Sequence, residues 1–451
     1  MSESLSQVEL GSEFSKFDLS PAIRKGIAAA GFVTPRPIQS ETIPAALEGR
    51  DILGLAQTGT GKTAAFALPI LQTLLDGPRR RGPRALIVAP TRELAGQIAT
   101  EIEMLSRFTS IRTTTIFGGV PAPPQIRALR KGPDILATCP GRLLDLLRQG
   151  EVDLSAIQIL VLDEADHMFD MGFLPDVRRI IGAVPRERQT MLFSATMPAE
   201  IRGLANGALR DPHVAELAHS KPVELVRHAL CPVEQRDKFE VLERIFGDDG
   251  FVSAIVFTRT KHRAKRLAQQ LERCGHSAVA LQGNMSQSQR VRAMEGFRSR
   301  RFRILVATDI AARGIDVERV SHVINYDMPN TADAYTHRIG RTGRAERTGT
   351  AISLVTSEDR GILRAVERVM GDVIPRWNPV SSGGRVAPPS TSESHAQPHR
   401  QSDSQGSGNP YAKQGRRPFR TDHSNRGQSA SFRKRSGTRR GRNSGQPAST
   451  R

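Results

Sequence analysis

Only three cysteines occur in 451 residues, and Cys139, Cys231 and Cys274 stand far apart with no C-x-x-C pair among them. That spacing argues against both a disulfide framework and a cysteine-built zinc site, and it fits a reducing compartment. Aromatic residues are scarce, with one tryptophan and three tyrosines. No apolar run approaches the roughly 20 residues of a membrane helix, and Met1 to Glu9 is polar and acidic where a secretory leader is basic and apolar. The expectation is a cytoplasmic protein with no membrane partner. Hydrophobic residues make up 38% of the chain, less than in an average globular domain, so part of the chain is expected to stay unfolded.

Positive charge is in excess. The formal net charge is +19, and residues 376–451 hold fifteen lysines and arginines against three acids. This last stretch is Ser, Gly, Pro, Arg, Gln and Asn with almost no aliphatic residues, so it cannot bury enough apolar surface to order itself. Its clusters Arg433-Lys434-Arg435 and Arg439-Arg440-Gly441-Arg442 suit phosphate backbones, with Tyr411, Phe419 and Phe432 as sparse stacking groups.

The chain ahead of this tail is organised around Ala56-Gln57-Thr58-Gly59-Thr60-Gly61-Lys62-Thr63, between the apolar run Asp51–Leu55 and a helical stretch from Ala64. Strand, glycine-rich turn and helix start are the parts a phosphate site needs. Backbone N–H groups point inward, the helix N-terminus adds partial positive charge, and Lys62 reaches the terminal phosphates while Thr63 holds Mg²⁺. The usual pattern opens on glycine; Ala56 serves there if its φ stays negative. A second stretch, Ile159 to Leu162 followed by Asp163-Glu164-Ala165-Asp166, is a buried-type strand ending in three carboxylates. At the carboxyl end of a parallel strand Asp163 can hold the metal while Glu164 activates water. Upstream, Gln39 carries a donor and an acceptor on one planar group, as reading an adenine edge requires, and Phe14 can cover a base by stacking. Taken alone, each also fits an ordinary core or surface position.

Strand-like runs then alternate with helical stretches, which argues for an α/β fold of parallel strands and helical crossovers. The runs are 84–90, 113–119, 134–138, 159–166 and 189–196, and they end in polar loops at Pro90-Thr91-Arg92, Gly118-Gly119 and Cys139-Pro140-Gly141-Arg142. Loops of this kind beside a nucleotide suit a sugar-phosphate strand, and equally suit ordinary turns and caps. Around 210–222 the pattern lapses at Asp211-Pro212 and Lys221-Pro222, read as a linker. A second series follows at 254–258, 278–282, 302–309, 322–326 and 350–355, with Thr258-Arg259-Thr260-Lys261 where a phosphate loop would stand. In His337-Arg338-Ile339-Gly340-Arg341-Thr342-Gly343-Arg344 three arginines recur every third residue, which in a helical turn leaves them on one face. Arginines delivered from a second domain can neutralise charge on a transferring γ-phosphate, and Asp316 can accept ribose hydroxyls.

Together these residues resemble the DEAD-box RNA helicases of superfamily 2, over about residues 14–370, with the four letters standing as Asp163-Glu164-Ala165-Asp166. Within that family Ala56 to Leu71 and the basic tail look most like bacterial RhlE-type proteins. The resemblance implies two tandem RecA-like parallel-sheet domains followed by a disordered basic tail. Its expected boundaries are 1–13 disordered, 14–210 domain 1, 211–225 linker, 226–375 domain 2 and 376–451 tail. It implies ATP and Mg²⁺ as cofactors, and RNA as the partner, with ribonucleoprotein, ribosome or RNA-degradation partners through the tail. Position by position, Phe14, Gln39, residues 56–63 and Asp316 would bind ATP; Lys62, Asp163, Glu164, Arg341 and Arg344 would be catalytic, with Thr63 and Asp163 on the metal. Asp166, Ser194, Thr196, His337 and Arg338 would couple hydrolysis to the domain interface. Pro90, Thr91, Arg92, Gly119, Arg142, Arg259, Gly283 and Thr308 would touch RNA. One departure is Cys139, where the family has threonine, a stronger donor. Two other readings stay open, an RNA chaperone working through its tail and a DNA translocase on the same fold.

Overall fold

The computed structural model describes residues 13–56, 59–78, 82–217, 226–248, 250–312, 320–343, 348–371 and 373–377. In the first domain seven parallel strands form one sheet: β1 (Ile52–Leu55), β2 (Ala85–Val88), β3 (Thr113–Ile116), β4 (Ile135–Thr138), β5 (Ile159–Leu162), β6 (Gln189–Ser194) and β7 (His213–Glu216). Their order across the sheet is β3-β4-β2-β5-β6-β1-β7. The central strands are buried on both faces, as an all-parallel sheet requires. Period-2 alternation sorts their side chains: Ala85, Ile87, Ile159 and Val161 point into one core, Leu86, Val88, Leu160 and Leu162 into the other. The first core is closed by the helices Pro21–Ala29, Pro37–Leu47, Lys62–Asp76 and Arg92–Leu105, the second by those after β4, β5 and β6.

A second all-parallel sheet follows: β8 (Val226–Pro232), β9 (Ala254–Phe257), β10 (Ala278–Leu281), β11 (Ile304–Ala307), β12 (His322–Asn325) and β13 (Gly349–Val355), in the order β10-β11-β9-β12-β13-β8. It too has a core on each face.

The expected linker, 211–225, begins too early. Residues 213–216 form β7, paired with β1 along its length, and the carboxylate of Asp51 fixes the approach by accepting the Arg210 and Thr190 N–H groups at 2.7 and 2.6 Å. A half-exposed edge strand behind Asp211-Pro212 lacks the apolar run that marks its neighbours, which is why the pattern lapses there. Residues 218–225 lie outside the described residues. At the other end Trp377 still belongs to domain 2, its N–H bonded to the Leu230 carbonyl at 2.8 Å. The segments read as disordered lie otherwise outside the described residues, apart from Glu13. Among the described residues no helix is long and apolar enough to cross a membrane, and all three cysteines are free.

The helix Pro21–Ala29 crosses the end of Arg92–Leu105 at Gly26, where an added Cβ would stand 1.9 Å from the Leu105 carbonyl oxygen. Backbone cannot step aside as a side chain can, so Gly26→Ala is expected to lower stability by about 1–3 kcal/mol. Denaturant unfolding at 25 °C measures it, and an unchanged midpoint would contradict the close approach.

Candidate active site

Three neighbouring strands, β5, β6 and β1, end on the same edge of the first sheet and build one site. After β1 the Ala56 N–H donates to the Ser194 carbonyl at 3.0 Å, and Ala56 keeps a negative φ. Gly61 starts the helix Lys62–Asp76 with φ 94°, a left-handed conformation that favours glycine. Its carbonyl accepts from Gln39 Nε2 at 3.0 Å, while Gln39 Oε1 accepts from the Arg36 N–H at 2.9 Å and the Arg36 guanidinium donates to the Gly59 carbonyl. Gln39 therefore ties its helix to the phosphate loop with both ends of its amide. Phe14 is buried against Phe17 and Phe32, ring centroids 5.9 and 6.3 Å away. Lys62 is buried, with Nζ 3.1 Å from the Ala56 carbonyl and 3.8 Å from Asp163 Oδ1.

At the end of β5 the chain turns sharply because Glu164 adopts φ 51°, rare for a side-chain-bearing residue and a mark of a functional turn. Burial pushes the Asp163 carboxyl up to about 6, against the pull of Lys62, with Glu164 and Asp166 adding to the rise. Burial also acts on Glu164, but His167, Lys62 and Arg341 outweigh it and hold that carboxyl well below the usual carboxylate range. Asp166 fastens β5 to the loop after β6: its Oδ2 accepts from the Ala195 and Thr196 N–H groups at 3.1 and 3.0 Å and from the Thr196 hydroxyl at 3.2 Å. Ser194 Oγ accepts the Asp166 N–H at 3.2 Å and donates to the Thr196 carbonyl at 2.7 Å.

The second domain closes on this edge. Its helix Ala332–Ile339 ends at Gly340, so Arg338 and Arg341 do not share a helical face as the spacing suggested. Arg338 turns inward, Arg341 lies past the helix end, and Arg344 lies outside the described residues. His337 Nδ1 stands 3.3 Å from His167 Nε2 with the rings perpendicular, and His337 Nε2 is 4.0 Å from Asp166 Oδ2. Burial first, then the nearby positive charges, press the His337 imidazole down to about 4, although Asp166 and Glu164 oppose it, so the ring is neutral near pH 7. Arg341 is buried and its charge acts on Glu164. A second bridge joins Arg290 Nε to Glu93 Oε1 at 2.7 Å, with Gln287 touching both Arg92 and Glu93. The domains thus stand in contact around the carboxylates.

Residues 36–204 match the DEAD/DEAH box helicase family and 237–346 the helicase conserved C-terminal domain. The chain is 41% identical to the DEAD-box ATP-dependent RNA helicase CshA of Bacillus subtilis, over 79% of this chain and 72% of that one. The chain belongs to the DEAD-box ATP-dependent RNA helicases. It is also 44% identical to the ATP-dependent RNA helicase DeaD of Escherichia coli, over 81% of this chain and 58% of that longer one. Among solved structures, Dbp5 of S. cerevisiae bound to RNA and ADP BeF3 matches with a TM-score of 0.74 at 34% identity, covering 82% of this chain and 96% of that one.

For a DEAD-box chain, the sheet orders separate two sets of loops. The residues expected on the phosphates, in catalysis and in coupling follow β1, β5 and β6. The residues expected on RNA follow the three strands at one side, β3-β4-β2: Gly119 after β3, Arg142 after β4, and Pro90, Thr91 and Arg92 after β2. In domain 2, Gly283, Thr308 and Arg259 follow β10, β11 and β9, again three neighbours at one side. Thr91 also caps its helix, its hydroxyl accepting the Leu94 N–H at 3.2 Å. The Arg92 guanidinium lies against Gly119, and Arg259 is half exposed beside Asp359 at 3.5 Å. Arg142 donates through Nη2 to the Val120 carbonyl at 3.0 Å and leaves Nη1 buried with no hydrogen-bond partner. Gln57, Thr58 and Asp316 lie outside the described residues.

Arg36, His167, Glu93, Gln287 and Arg290 join the site without a motif that marks them in the sequence. The one signal at 167 is an ionisable residue directly behind three strand-end carboxylates. Cys139 occupies the N-cap of the helix Pro140–Arg148 with no side-chain cap bond, and burial pushes its thiol up to about 12. A threonine hydroxyl at that position could accept the open N–H groups of the first turn. Cys139→Thr is therefore expected to raise stability by about 0.5–1 kcal/mol, measured as an upward shift of the thermal midpoint; a lower midpoint would contradict it.

Proposed function

We propose that this chain couples RNA-stimulated ATP hydrolysis to domain closure and locally opens short RNA duplexes or remodels ribonucleoproteins, without processive travel. The observation that carries this reading is the cluster in which Asp166 and His167 of domain 1, beside Glu164, meet His337 of domain 2, with the Arg341 charge acting on Glu164. Catalytic residues divided between two domains work only when those domains close, and a ligand spanning both domains favours closure. RNA running from the β3-β4-β2 loops to the β10-β11-β9 loops is such a ligand. The unpartnered Arg142 Nη1 supports an anionic strand there. A strand bent by closure cannot keep A-form stacking, so the duplex opens locally.

In the ATP site, Gln39 and Phe14 would attend the base, residues 56–63 the phosphates, and Asp316 the ribose. Among the described residues no group of three or more His, Cys, Asp or Glu side chains could hold a metal ion unaided. Asp163 and Thr63 instead fit Mg²⁺ carried in with the phosphates, and the buried, under-neutralised Asp163 favours the extra positive charge. When bound, that ion would neutralise charge on the phosphate oxygens. Lys62, Arg341 and Arg344 would add fixed charge around the γ-phosphate, and Glu164 would orient the attacking water. Asp166, Ser194 and Thr196 would pass the change to the loop after β6, with His337 facing them.

Domain limits of 14–217 and 226–377, a cytoplasmic location, and a basic tail that holds RNA or binds ribosomes or degradation machinery complete the reading. Within the family we place the chain with RhlE-type proteins on Ala56 to Leu71 and the tail; the relatives matched above are CshA and DeaD, so this placement rests on the chain's own residues. The test is steady-state ATP hydrolysis by the full chain alone, with single-stranded RNA, and with DNA of matching sequence. Strong stimulation by RNA alone is expected. Equal rates in all three overturn the coupling, and equal stimulation by DNA would favour a DNA translocase.

A further inference from the structure

We infer that His167 is a positioning residue that reports domain closure to the water-orienting carboxylate, through a hydrogen-bonded line from His337 by way of His167 to Glu164. The inference deepens the function proposed above and rests on its assignment of Glu164.

His167 is 2% exposed, one turn along the short helix that follows the carboxylates. Its main-chain N–H donates to Asp166 Oδ1 at 3.0 Å, which fixes the base of the side chain. Its Nδ1 stands 2.8 Å from Glu164 Oε2, and a ring nitrogen facing an ionised carboxylate carries a proton. Its Nε2 stands 3.3 Å from His337 Nδ1, within hydrogen-bond reach, the donor being set by the tautomers of the two rings. The two histidines meet edge to face with centroids 4.6 Å apart. His167 is thus bonded on one side to the group proposed to hold the water and on the other to a residue that arrives only with domain 2.

This geometry gives closure a direct physical path. With domain 2 away, Nε2 of His167 faces solvent, and the ring is held by Glu164 alone. When His337 docks, water is excluded and both ring nitrogens are bonded, which fixes the imidazole and with it the carboxylate rotamer. Hydrogen bonds in series in a low-dielectric setting reinforce one another. No bond is made or broken by His167; it sets where Glu164 points. A displacement of about 1 Å at such a group can cost about 100-fold in rate.

The experiment uses the full chain and measures RNA-stimulated kcat, the KM for ATP and the half-saturating RNA concentration, with thermal midpoints for every variant. His167→Phe keeps a buried ring and removes both nitrogens; it is expected to lower RNA-stimulated kcat by roughly 10–100-fold and to leave KM and RNA half-saturation within about threefold of wild type. His167→Gln carries a donor and an acceptor on one planar amide and is expected to recover most of that loss. His337→Ala should cost less on top of His167→Phe than it costs in wild type, because the line through His167 is already cut and only its approach to Asp166 remains. An unchanged kcat in His167→Phe, no advantage of Gln over Phe, or full additivity with His337→Ala overturns the inference. If His167→Phe does not fold, Gln and the His337→Ala cycle on it decide the same question. Glu164→Gln separates the two readings: if it still hydrolyses ATP at near wild-type rate, the assignment of Glu164 fails, whereas an inactive Glu164→Gln beside an unaffected His167→Phe sinks this inference alone.

Discussion

Glu164→Gln is expected to lower RNA-stimulated hydrolysis by about 10²–10⁴-fold while ATP and RNA remain bound together. Glutamine has the shape of glutamate and can turn its amide oxygen toward the His167 Nδ1 proton, so the interface with His337 is kept. It loses the acceptor charge that a water-orienting group needs. The carboxyl being replaced is held ionised across the working pH range by His167, Lys62 and Arg341, despite its burial. The variant should therefore trap the closed state. Single-turnover hydrolysis, beside RNA retention on a filter with ATP present, reads both halves. Hydrolysis within tenfold of wild type, or loss of ATP-dependent RNA retention, would sink the assignment. Lys62→Ala is different in kind: it removes the cation 3.8 Å from Asp163 and should fail at nucleotide binding itself.

Much of this site was legible in the sequence because its chemistry is local. A phosphate loop needs its glycines, lysine and hydroxyl within eight residues, and a strand-end metal ligand needs an apolar run before a carboxylate. Both signals survive without any knowledge of the sheet. The parallel series was legible for the same reason, through four-residue runs such as Ala85–Val88 and Ile159–Leu162 whose neighbours are helical. What could not be read depends on the approach of distant segments. His167 and His337 are 170 positions apart and Glu93 and Arg290 nearly 200, so nothing in the local pattern pairs them. β7 was lost because an edge strand buries only one side and shows no continuous apolar run. The arginine series misled because a three-residue spacing was extended through Gly340, where the helix stops.

Arg338 shows what that misreading hides, and its replacement carries the largest expected loss of stability. The side chain is 2% exposed and points into domain 2, away from the interface it was expected to support. Nε and Nη2 grip Asp309 at 2.5 and 2.8 Å, and Nη1 reaches Asn325 Oδ1 at 3.0 Å and the Asp327 carbonyl at 2.7 Å. The guanidinium also lies over the Phe257 ring, 4.9 Å from its centroid. One planar fork thus ties the ends of β9, β11 and β12, neighbouring loops at the edge that faces domain 1. Arg338→Ala leaves the buried Asn325 Oδ1 and Asp327 carbonyl without their donor, while Asp309, whose side chain is 31% exposed, turns to water; at about 1–3 kcal/mol for each buried acceptor left unsatisfied the loss is about 2–6 kcal/mol, a large part of the stability of an ordinary domain. Arg338→Lys should recover little, because an ammonium cannot make the bidentate contact. Arg341→Ala, which removes a charge acting on Glu164 from across the domain contact, should instead leave unfolding nearly unchanged and lower hydrolysis. Denaturant unfolding of the three variants, beside their ATPase rates, separates the roles. A stable Arg338→Ala with normal unfolding would show that the fork is not what holds these loops, and the loss of activity would then have to be sought at the interface after all.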